Sequence, residues 1–279
     1  MEYIIDYFET IPSWHRTLIL AGGIAVFWIL ESVFPIINFK YKKWSHSLPN
    51  FFFTLTTLII NLAFAVVIVM TSDWAQLTQF GLFHMLGDLP HWLITILCIM
   101  TMDLVGAWLV HWTEHQVHWM WKFHIIHHTD EHVDTTTALR HHPGESIFRA
   151  IFTFFAVLLV GAPIWLVMIY QSLSALFSQF NHANLGLPAS IDKAISYLLV
   201  TPGMHRIHHH HVQPYTDKNY GNIFSLWDRL LGTYAWMPKE KVVFGLDVYD
   251  KETQSLKDLL LTPVDGKSYS TKEKYNHKR

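Results

Sequence analysis

The residues of this sequence with the clearest chemical potential are histidines at repeated, helix-compatible spacings. Steps of three and four residues return side chains to one face of a helix, so each set would aim its imidazoles in one direction. The second and third sets share the spacing H-x-x-H-H. The three sets are His111 and His115, then His124, His127 and His128, and then His205, His208 and His209.

Such recurrence predicts a metal centre, although an isolated histidine on an apolar face is more often a structural residue. Imidazole binds zinc, copper, iron and nickel, and a single zinc ion takes three or four protein ligands. The eight histidines of the three sets exceed that number. The spacing therefore favours two metal ions.

The composition predicts the class of protein. Of 279 residues, 51% are hydrophobic and only 15% are charged, and twelve are tryptophan. This is typical of an integral membrane protein with aromatic side chains at the interface. The formal net charge of −2 and the scattered basic residues predict no nucleic-acid partner. The single cysteine excludes an intramolecular disulfide and leaves little for thiolate chemistry.

The elements that position the histidines are apolar segments long enough to cross a bilayer core of about 30 Å. We predict membrane helices over 18–37, 51–70 and 91–110, separated by polar loops that include 71–90. A further apolar stretch, 147–180, is interrupted at its middle by Gly-Ala-Pro and is predicted to be a hairpin. The fold class is therefore all-α, with about four to five membrane-embedded helices and a histidine-rich helical cap.

The whole chain is predicted to form one membrane-embedded domain. A short amphipathic helix is also predicted within 191–200. In chain order the parts are 1–110, mainly transmembrane helices; 111–146, the first histidine motifs; 147–180, the hairpin; 181–234, the last histidine motifs; and 251–279, a polar tail.

The distribution of lysine predicts the orientation. Lys40, Lys42 and Lys43 follow the first apolar segment, whereas the loop 71–90 carries only acidic charges. By the positive-inside rule the lysine loop is cytoplasmic, which places His111 and the metal site at the cytoplasmic face. The C-terminal sequence KYNHKR lacks a clear dilysine retrieval pattern, which favours a bacterial inner membrane over the endoplasmic reticulum.

The motifs carry a family resemblance. The series HWTEH, WKFHIIHH, FNHAN and TPGMHRIHHH, followed by TDKNYGNIFSLWDRLLGTY, resembles the fatty acid hydroxylase/sterol desaturase superfamily over residues 103–234. Within it, TALR, TDKNYG and WDRLLGTY are most similar to the alkylglycerol monooxygenase branch and its bacterial relatives. The resemblance implies an integral membrane oxygenase with a dimetal centre, normally two iron ions, which zinc can replace in purified protein. It further implies a lipid substrate, O2 as co-substrate, and electrons from a separate donor protein or from tetrahydrobiopterin.

Carried over by position, the resemblance adds His182 to the ligands and implies no catalytic residue beyond them. Trp112 stands where the family usually has arginine. The implied ligand set is His111, His115, His124, His127, His128, His182, His205, His208 and His209.

A histidine that binds a metal with one ring nitrogen needs a hydrogen-bond partner for the other. Residues close to the motifs are candidates for this role or for lining the pocket. His118 continues the face of His111 and His115 but lies outside the family pattern, and His141 is expected to be structural or to line the pocket. The candidates for the outer partners are Asp103, Asp130, His142 and Asp217.

Two other classes of protein remain open from the sequence. One is a histidine-rich membrane protein that binds or transports metal, which should carry its ligands at membrane depth. The other is a zinc-dependent hydrolase, which needs an open metal position and a placed general base. Within the oxygenase class, hydroxylation and desaturation are both open, and so are fatty acyl, sterol and ether-lipid substrates.

Overall fold

The computed structural model describes residues 2–249, 255–267 and 269, and the secondary structure of these residues is helical. Two isolated bridges, Pro35 to Leu185 and Leu199 to Phe224, are the β contacts within this part of the chain. The α-helices are α1 Glu2–Glu9, α2 Ser13–Val33, α3 Lys43–Thr78, α4 Leu82–Met85, α5 His91–Asp103, α6 Val110–Gln116, α7 His118–His128, α8 Pro143–Val160, α9 Ile164–His182, α10 Ala189–Ile195, α11 Pro202–His208, α12 Leu226–Leu230 and α13 Leu256–Leu261.

Four stretches of the described residues are long and apolar enough to cross a membrane: Ser13–Val33, Lys43–Met85, His91–Gln116 and Pro143–Val160. They confirm the expectation of an integral membrane protein built from helices. The first membrane helix, α2, ends at Val33, earlier than predicted. Pro35 follows closely, and the residue before a proline is disfavoured in the helical region.

The helix α3 is much longer than the predicted span of 51–70. It begins at Lys43 and continues into the first part of the predicted loop before ending at Thr78. Its second half is kept helical by packing against the turn between α8 and α9, where Ser72 Oγ donates to Ala162 O over 2.8 Å. The prediction of a loop over 71–90 was therefore wrong for its first part.

The third span forms one continuous helical rod from His91 to Gln116. Between α5 and α6, residues Leu104–Leu109 adopt a π-helix, so the rod does not end at the membrane boundary as predicted. It ends at Val117, whose extended backbone turns the chain into α7. The rod thus carries His111 and His115 directly on a membrane-spanning element.

The apolar stretch 147–180 is divided as predicted, with a break at Gly161, Ala162 and Pro163. Gly161 has φ +64°, and a Cβ there would collide with the carbonyl oxygen of Phe80, so this turn requires glycine. The two helices pack mainly against other elements: α8 lies along α3, and α9 lies along α1 and α2. The hairpin is therefore open rather than a pair of packed helices.

A buried carboxylate joins the membrane helices to the cap. Glu31, near the end of α2, accepts hydrogen bonds from the backbone N–H groups of Thr135 and Asn184, each at 2.9 Å. Its other oxygen pairs with Lys43 Nζ at 2.7 Å. Because a buried charge is tolerated only when paired, this site fixes α2, α3 and the end of α9 together.

The C-terminal part of the chain is not only a polar tail. Leu259 in α13 is fully buried and packs with Trp121, Ile125 and Ile126 of α7. Residues 255–267 of the predicted tail thus include a helix that packs on the cap, and residues 250–254, 268 and 270–279 lie outside the described part. The predicted amphipathic helix is present as α10, although it is shorter than expected.

Candidate metal centre

Four elements bring the histidine motifs to one end of the helical bundle. The α6 helix carries His111 and His115, and Val117 folds α7 back so that its histidines face those of α6. The end of α9 supplies one histidine and α11 with the following residue supplies three. All nine side chains implied as ligands are buried: His111, His115, His124, His127, His128, His182, His205, His208 and His209.

The nine histidines form two groups. Within each group, every histidine offers one ring nitrogen, and these nitrogens lie within 4.8 Å of one another. We call the groups cluster A and cluster B. Cluster A contains His111, His115, His124, His128 and His208. Cluster B contains His127, His182, His205 and His209.

The clusters divide the motifs in a way that the spacing did not predict. His124 and His128 belong to cluster A, whereas His127 belongs to cluster B. Adjacent residues point about 100° apart on a helix, so His127 and His128 must face different neighbours. The third motif divides in the same way, with His208 in cluster A and His209 in cluster B.

Proton positions in cluster A follow from the outer hydrogen bonds. His111 Nδ1 lies 2.9 Å from Tyr220 O, and a carbonyl oxygen can only accept, so this nitrogen carries the hydrogen. His124 Nδ1 lies 2.8 Å from Glu145 Oε1 and donates in the same way. In the neutral rings the Nε2 atoms therefore present lone pairs, and these two atoms lie only 3.1 Å apart.

Lone pairs at this distance repel unless a cation lies between them. His128 Nε2 is also 3.2 Å from His124 Nε2, so three ring nitrogens converge. Two imidazoles bound to one ion at about 2.0–2.1 Å, with an angle between about 90° and 110°, would have nitrogens about 2.9–3.4 Å apart. The separations in cluster A therefore fit a shared metal ion.

Cluster B repeats the arrangement with other partners. His182 Nδ1 donates to Ser178 O over 2.7 Å, so its Nε2 presents a lone pair. That atom is 3.0 Å from His127 Nε2 and 3.1 Å from His205 Nε2. Both ring nitrogens of His209 are buried without a hydrogen-bond partner. Burial of such unpaired polar atoms costs free energy of folding, and a bound metal ion would reduce this cost.

Burial keeps the histidines outside the membrane spans neutral. It lowers the pKa of His124 to about 3, and it lowers the pKa values of His127 and His128 well below the ordinary value of 6.5. The α11 histidines show the same direction for the same cause. Neutral imidazole is the form that binds a metal, so the clusters are ready to bind one near pH 7.

A loop after α11 orients much of cluster A. Asp217 Oδ1 accepts from His115 Nδ1 over 3.1 Å, which places Asp217 where the sequence predicted an outer partner. The carbonyl of Lys218 accepts from His208 Nδ1 over 2.7 Å, and Tyr220 O accepts from His111. Residues 217–220 therefore fix the rings of three histidines.

Carboxylates that the sequence reasoning missed complete the surroundings of cluster A. Glu145 Oε1 accepts from His124 Nδ1, from His141 Nδ1 at 2.7 Å and from Arg149 Nε at 2.9 Å. Arg149 Nη2 also pairs with Glu114 at 2.7 Å, and both carboxylates are fully buried. The sequence RHHPGE contained a usable signal, because His141 and Glu145 lie four residues apart.

Asp228, which lies in the segment WDRLLGTY, is a buried acceptor. It takes hydrogen bonds from the backbone of Tyr220 at 2.8 Å and Gly221 at 2.9 Å, and from Trp108 Nε1 at 3.0 Å. Burial raises its pKa, while these donors act in the opposite direction. Asp228 thereby holds the carbonyl that orients His111.

Three of the expected outer partners bond elsewhere. Asp103 accepts from the backbone of Ile223 and Phe224. Asp130 accepts from His46 Nε2 over 2.8 Å; burial raises the pKa of Asp130, but His46 and Arg140 outweigh it and hold the pKa below its ordinary value. His142 caps α8 by accepting from Gly144 N.

Two other histidines take places that the sequence left open. His141 stacks on His127, with ring centroids 4.9 Å apart, so it and not His142 is the neighbour of the clusters. His118 begins α7 and is exposed.

A bundle of apolar helices that is closed at one end by buried histidine clusters defines a class of histidine-rich integral membrane proteins. Residues 95–233, which include both clusters, match the family model described as fatty acid hydroxylase. This segment, about half of the chain, is similar to the fatty acid hydroxylase family.

Similar curated proteins agree with the family. Alkylglycerol monooxygenase of Danio rerio is 31% identical over 142 residues, 51% of this chain and 30% of that protein. The Homo sapiens alkylglycerol monooxygenase is 31% identical over 148 residues, 50% of this chain and 30% of that protein. Ornithine lipid hydroxylase OlsE of Rhizobium tropici is 26% identical over 134 residues, 48% of this chain and 40% of that protein. The chain therefore spans less than half the length of these relatives. No solved structure matches the chain.

Proposed function

We propose that this protein is a membrane-bound non-haem diiron oxygenase that hydroxylates a C–H bond of a lipid with O2 and external electrons. The observation that carries the proposal is the convergence of imidazole lone pairs in two buried clusters of five and four histidines. Cluster A offers one imidazole more than the four ligands of a structural zinc site, which favours iron.

In this proposal clusters A and B each hold one iron ion. When bound, the two ions would supply the activation of O2 and the oxidation of the substrate C–H bond. The chain supplies orientation: Tyr220 O, Glu145 and Lys218 O fix the tautomers of three cluster A histidines. It also excludes water, because every ligand side chain is buried.

An aromatic side chain beside cluster A supports a hydrophobic substrate. The ring of Trp121 lies 4.8 Å from that of His115 and 5.4 Å from that of His128. The similar proteins are named for alkylglycerol and ornithine lipid, which both join a polar head to an alkyl chain. Their names favour hydroxylation over desaturation. We therefore propose a lipid of this general kind, and the assay should offer fatty acyl, sterol and ether lipids side by side.

The orientation and the electron source are parts of the same proposal. Lys40, Lys42 and Lys43 support a cytoplasmic location of the clusters, and the similarity to a Rhizobium protein supports a bacterial inner membrane. Electrons would come from a separate donor protein or from tetrahydrobiopterin.

The other two classes fit the site less well. A transporter would carry polar ligands along a path through the membrane, whereas both clusters lie at one end of the bundle. A hydrolase needs a free carboxylate as its base, whereas the buried Glu114 and Glu145 both pair with Arg149.

The test is metal content per chain, measured on tag-free protein purified in detergent, with Mössbauer spectroscopy after growth on enriched iron. We expect two coupled irons in the wild type. His208→Ala should lose the cluster A ion and His127→Ala the cluster B ion, while the exposed His118→Ala should keep both. A single zinc per chain, or two irons in either cluster variant, would contradict the proposal.

A further inference from the structure

A patch of exposed apolar side chains lies on the cap, outside the helices that are long enough to cross a membrane. Its members are Tyr197, Leu198, Leu230 and Leu231, with exposed fractions of 61%, 55%, 67% and 51%. We call it the Leu230 patch. Contiguous exposed apolar surface of this kind marks an interaction site rather than an ordinary protein surface in water.

The two segments of the patch are held as one surface. The backbone N–H of Ser225 donates to Leu198 O over 3.1 Å, and Ser225 Oγ donates to Ser196 O over 2.7 Å. Arg229 Nη2 also donates to Ser196 O, over 2.8 Å. The patch is thus a fixed feature of the cap rather than a set of independent loops.

The patch lies at the depth of the membrane helices, below the level of the histidines. Asp103 accepts from the backbone N–H groups of Ile223 and Phe224, just before α12, and from the indole N–H of Trp227 within α12. Asp103 precedes His111 by eight residues on one continuous rod, which corresponds to roughly 10 Å along the axis. Ile223 belongs to the apolar core formed by α5, α8 and α9. The segment that carries Leu230 therefore folds back alongside the membrane-spanning rod.

The chemistry of the rim is that of a membrane interface. The guanidinium of Arg229 lies 3.9 Å from the ring centroid of Tyr234 and 5.1 Å from that of Tyr197. The Arg229 guanidinium also donates a hydrogen bond to the Ser196 carbonyl. A second basic residue, the exposed Lys193, lies on the neighbouring α10. Leucines at the centre with tyrosine and basic residues around them are typical of segments at the boundary between headgroups and acyl chains.

We propose that the Leu230 patch is immersed in the bilayer, in the leaflet on the histidine side, and is covered by lipid. It continues the lipid-facing surface of the membrane helices into the cap. The cap is then embedded at this edge and does not stand free of the membrane. This inference rests on the membrane-spanning helices and is independent of the oxygenase activity.

The test measures lipid contact by fluorescence quenching in phosphatidylcholine nanodiscs. The sole cysteine, the fully buried Cys98, is replaced by Cys98→Ala so that single cysteines can carry an NBD fluorophore. The test positions are Leu230→Cys and Tyr197→Cys. Leu62→Cys, 75% exposed within α3, is the control in lipid, and Val264→Cys, also 75% exposed, is the control in water.

Nitroxide on the acyl chain, close to the headgroup, should quench the labels at Leu230 and Tyr197 several-fold more than the label at Val264, and aqueous iodide should show the reverse order. Quenching by iodide at the level of Val264 would overturn the proposal. Protection from both quenchers would also overturn it, because the patch would then be covered by protein. If either labelled variant fails to elute as wild type, Leu198→Cys and Leu231→Cys replace it.

Discussion

Substitution of Glu145 by glutamine is the sharpest test of how the surroundings of cluster A act. Glu145 Oε1 accepts three hydrogen bonds, from His124 at 2.8 Å, His141 at 2.7 Å and Arg149 at 2.9 Å. Glutamine keeps the shape of the side chain but removes the negative charge and one acceptor. The amide oxygen can still accept a hydrogen bond, but His124 would lose the charged partner that raises the basicity of its Nε2 and would share a weaker acceptor with His141 and Arg149.

The expected magnitude follows from that loss. Removal of the outer partner of a metal-binding histidine typically lowers metal affinity by about 10- to 100-fold, or about 1.4–2.7 kcal/mol. The loss should fall on cluster A alone, because the partner of His182 in cluster B is the carbonyl of Ser178. One ion per chain should therefore become easier to remove while the other stays.

The assay is chelator competition followed by metal content, with cobalt substitution as a spectroscopic report on each ion. Asp130→Asn is the matched control, since Asp130 is also a buried carboxylate paired with a histidine, His46, outside both clusters. It should lower the free energy of unfolding and leave both metal affinities unchanged. Unchanged affinity in Glu145→Gln, or an equal loss of both ions, would refute the reasoning.

Three further predictions follow from packing, backbone and charge. Leu259→Ala, at a fully buried position, should lower the free energy of unfolding by about 2–5 kcal/mol, measured by thermal or denaturant unfolding in detergent; an effect as small as that of the exposed Val264→Ala would show that α13 is not part of the core. Gly161→Ala should reduce the yield of folded protein, because φ is +64° and the carbonyl of Phe80 occupies the space of a Cβ, whereas Gly22→Ala, with nothing near its Cβ, should be tolerated; equal yields would contradict the close approach. Acidification should destabilise the metal-free protein. Burial lowers the pKa of His124 to about 3 in the folded chain, whereas its unfolded value is about 6.5. Between these two pH values the unfolded chain binds more protons than the folded chain, so the free energy of unfolding decreases as the pH decreases. A flat stability between about pH 7 and about pH 5 would argue against buried neutral histidines.

The sequence was informative about the site because its signal is short-range. Histidines three and four residues apart lie on one broad helix face, so the spacing predicted that the motifs line a common metal centre. The division of the second and third motifs between two clusters could not be predicted, because it depends on which helices pack on either side of α7. Glu145 was missed for a related reason, since a buried acceptor and a solvated loop charge look the same in sequence.

The fold shows the same limit. Apolar length predicted the membrane helices, and Gly161 with Pro163 predicted the break between α8 and α9. Helix ends were less predictable where tertiary contacts extend a helix, as in α3, whose C-terminal half packs on that break. The burial of Leu259 depends on a contact with Trp121 and Ile125 far away in the chain, for which local composition carries no signal.

Two of the hydrogen bonds that orient cluster A come from main-chain carbonyls, those of Lys218 and Tyr220. Every amino acid supplies the same carbonyl, so a library of substitutions at Lys218 would score this position as permissive. Deletion or insertion of a single residue between Asp217 and Tyr220 would instead shift the acceptors of three histidines at once. The information that this loop carries is its length and backbone path, and comparison of residue identities alone would undervalue it.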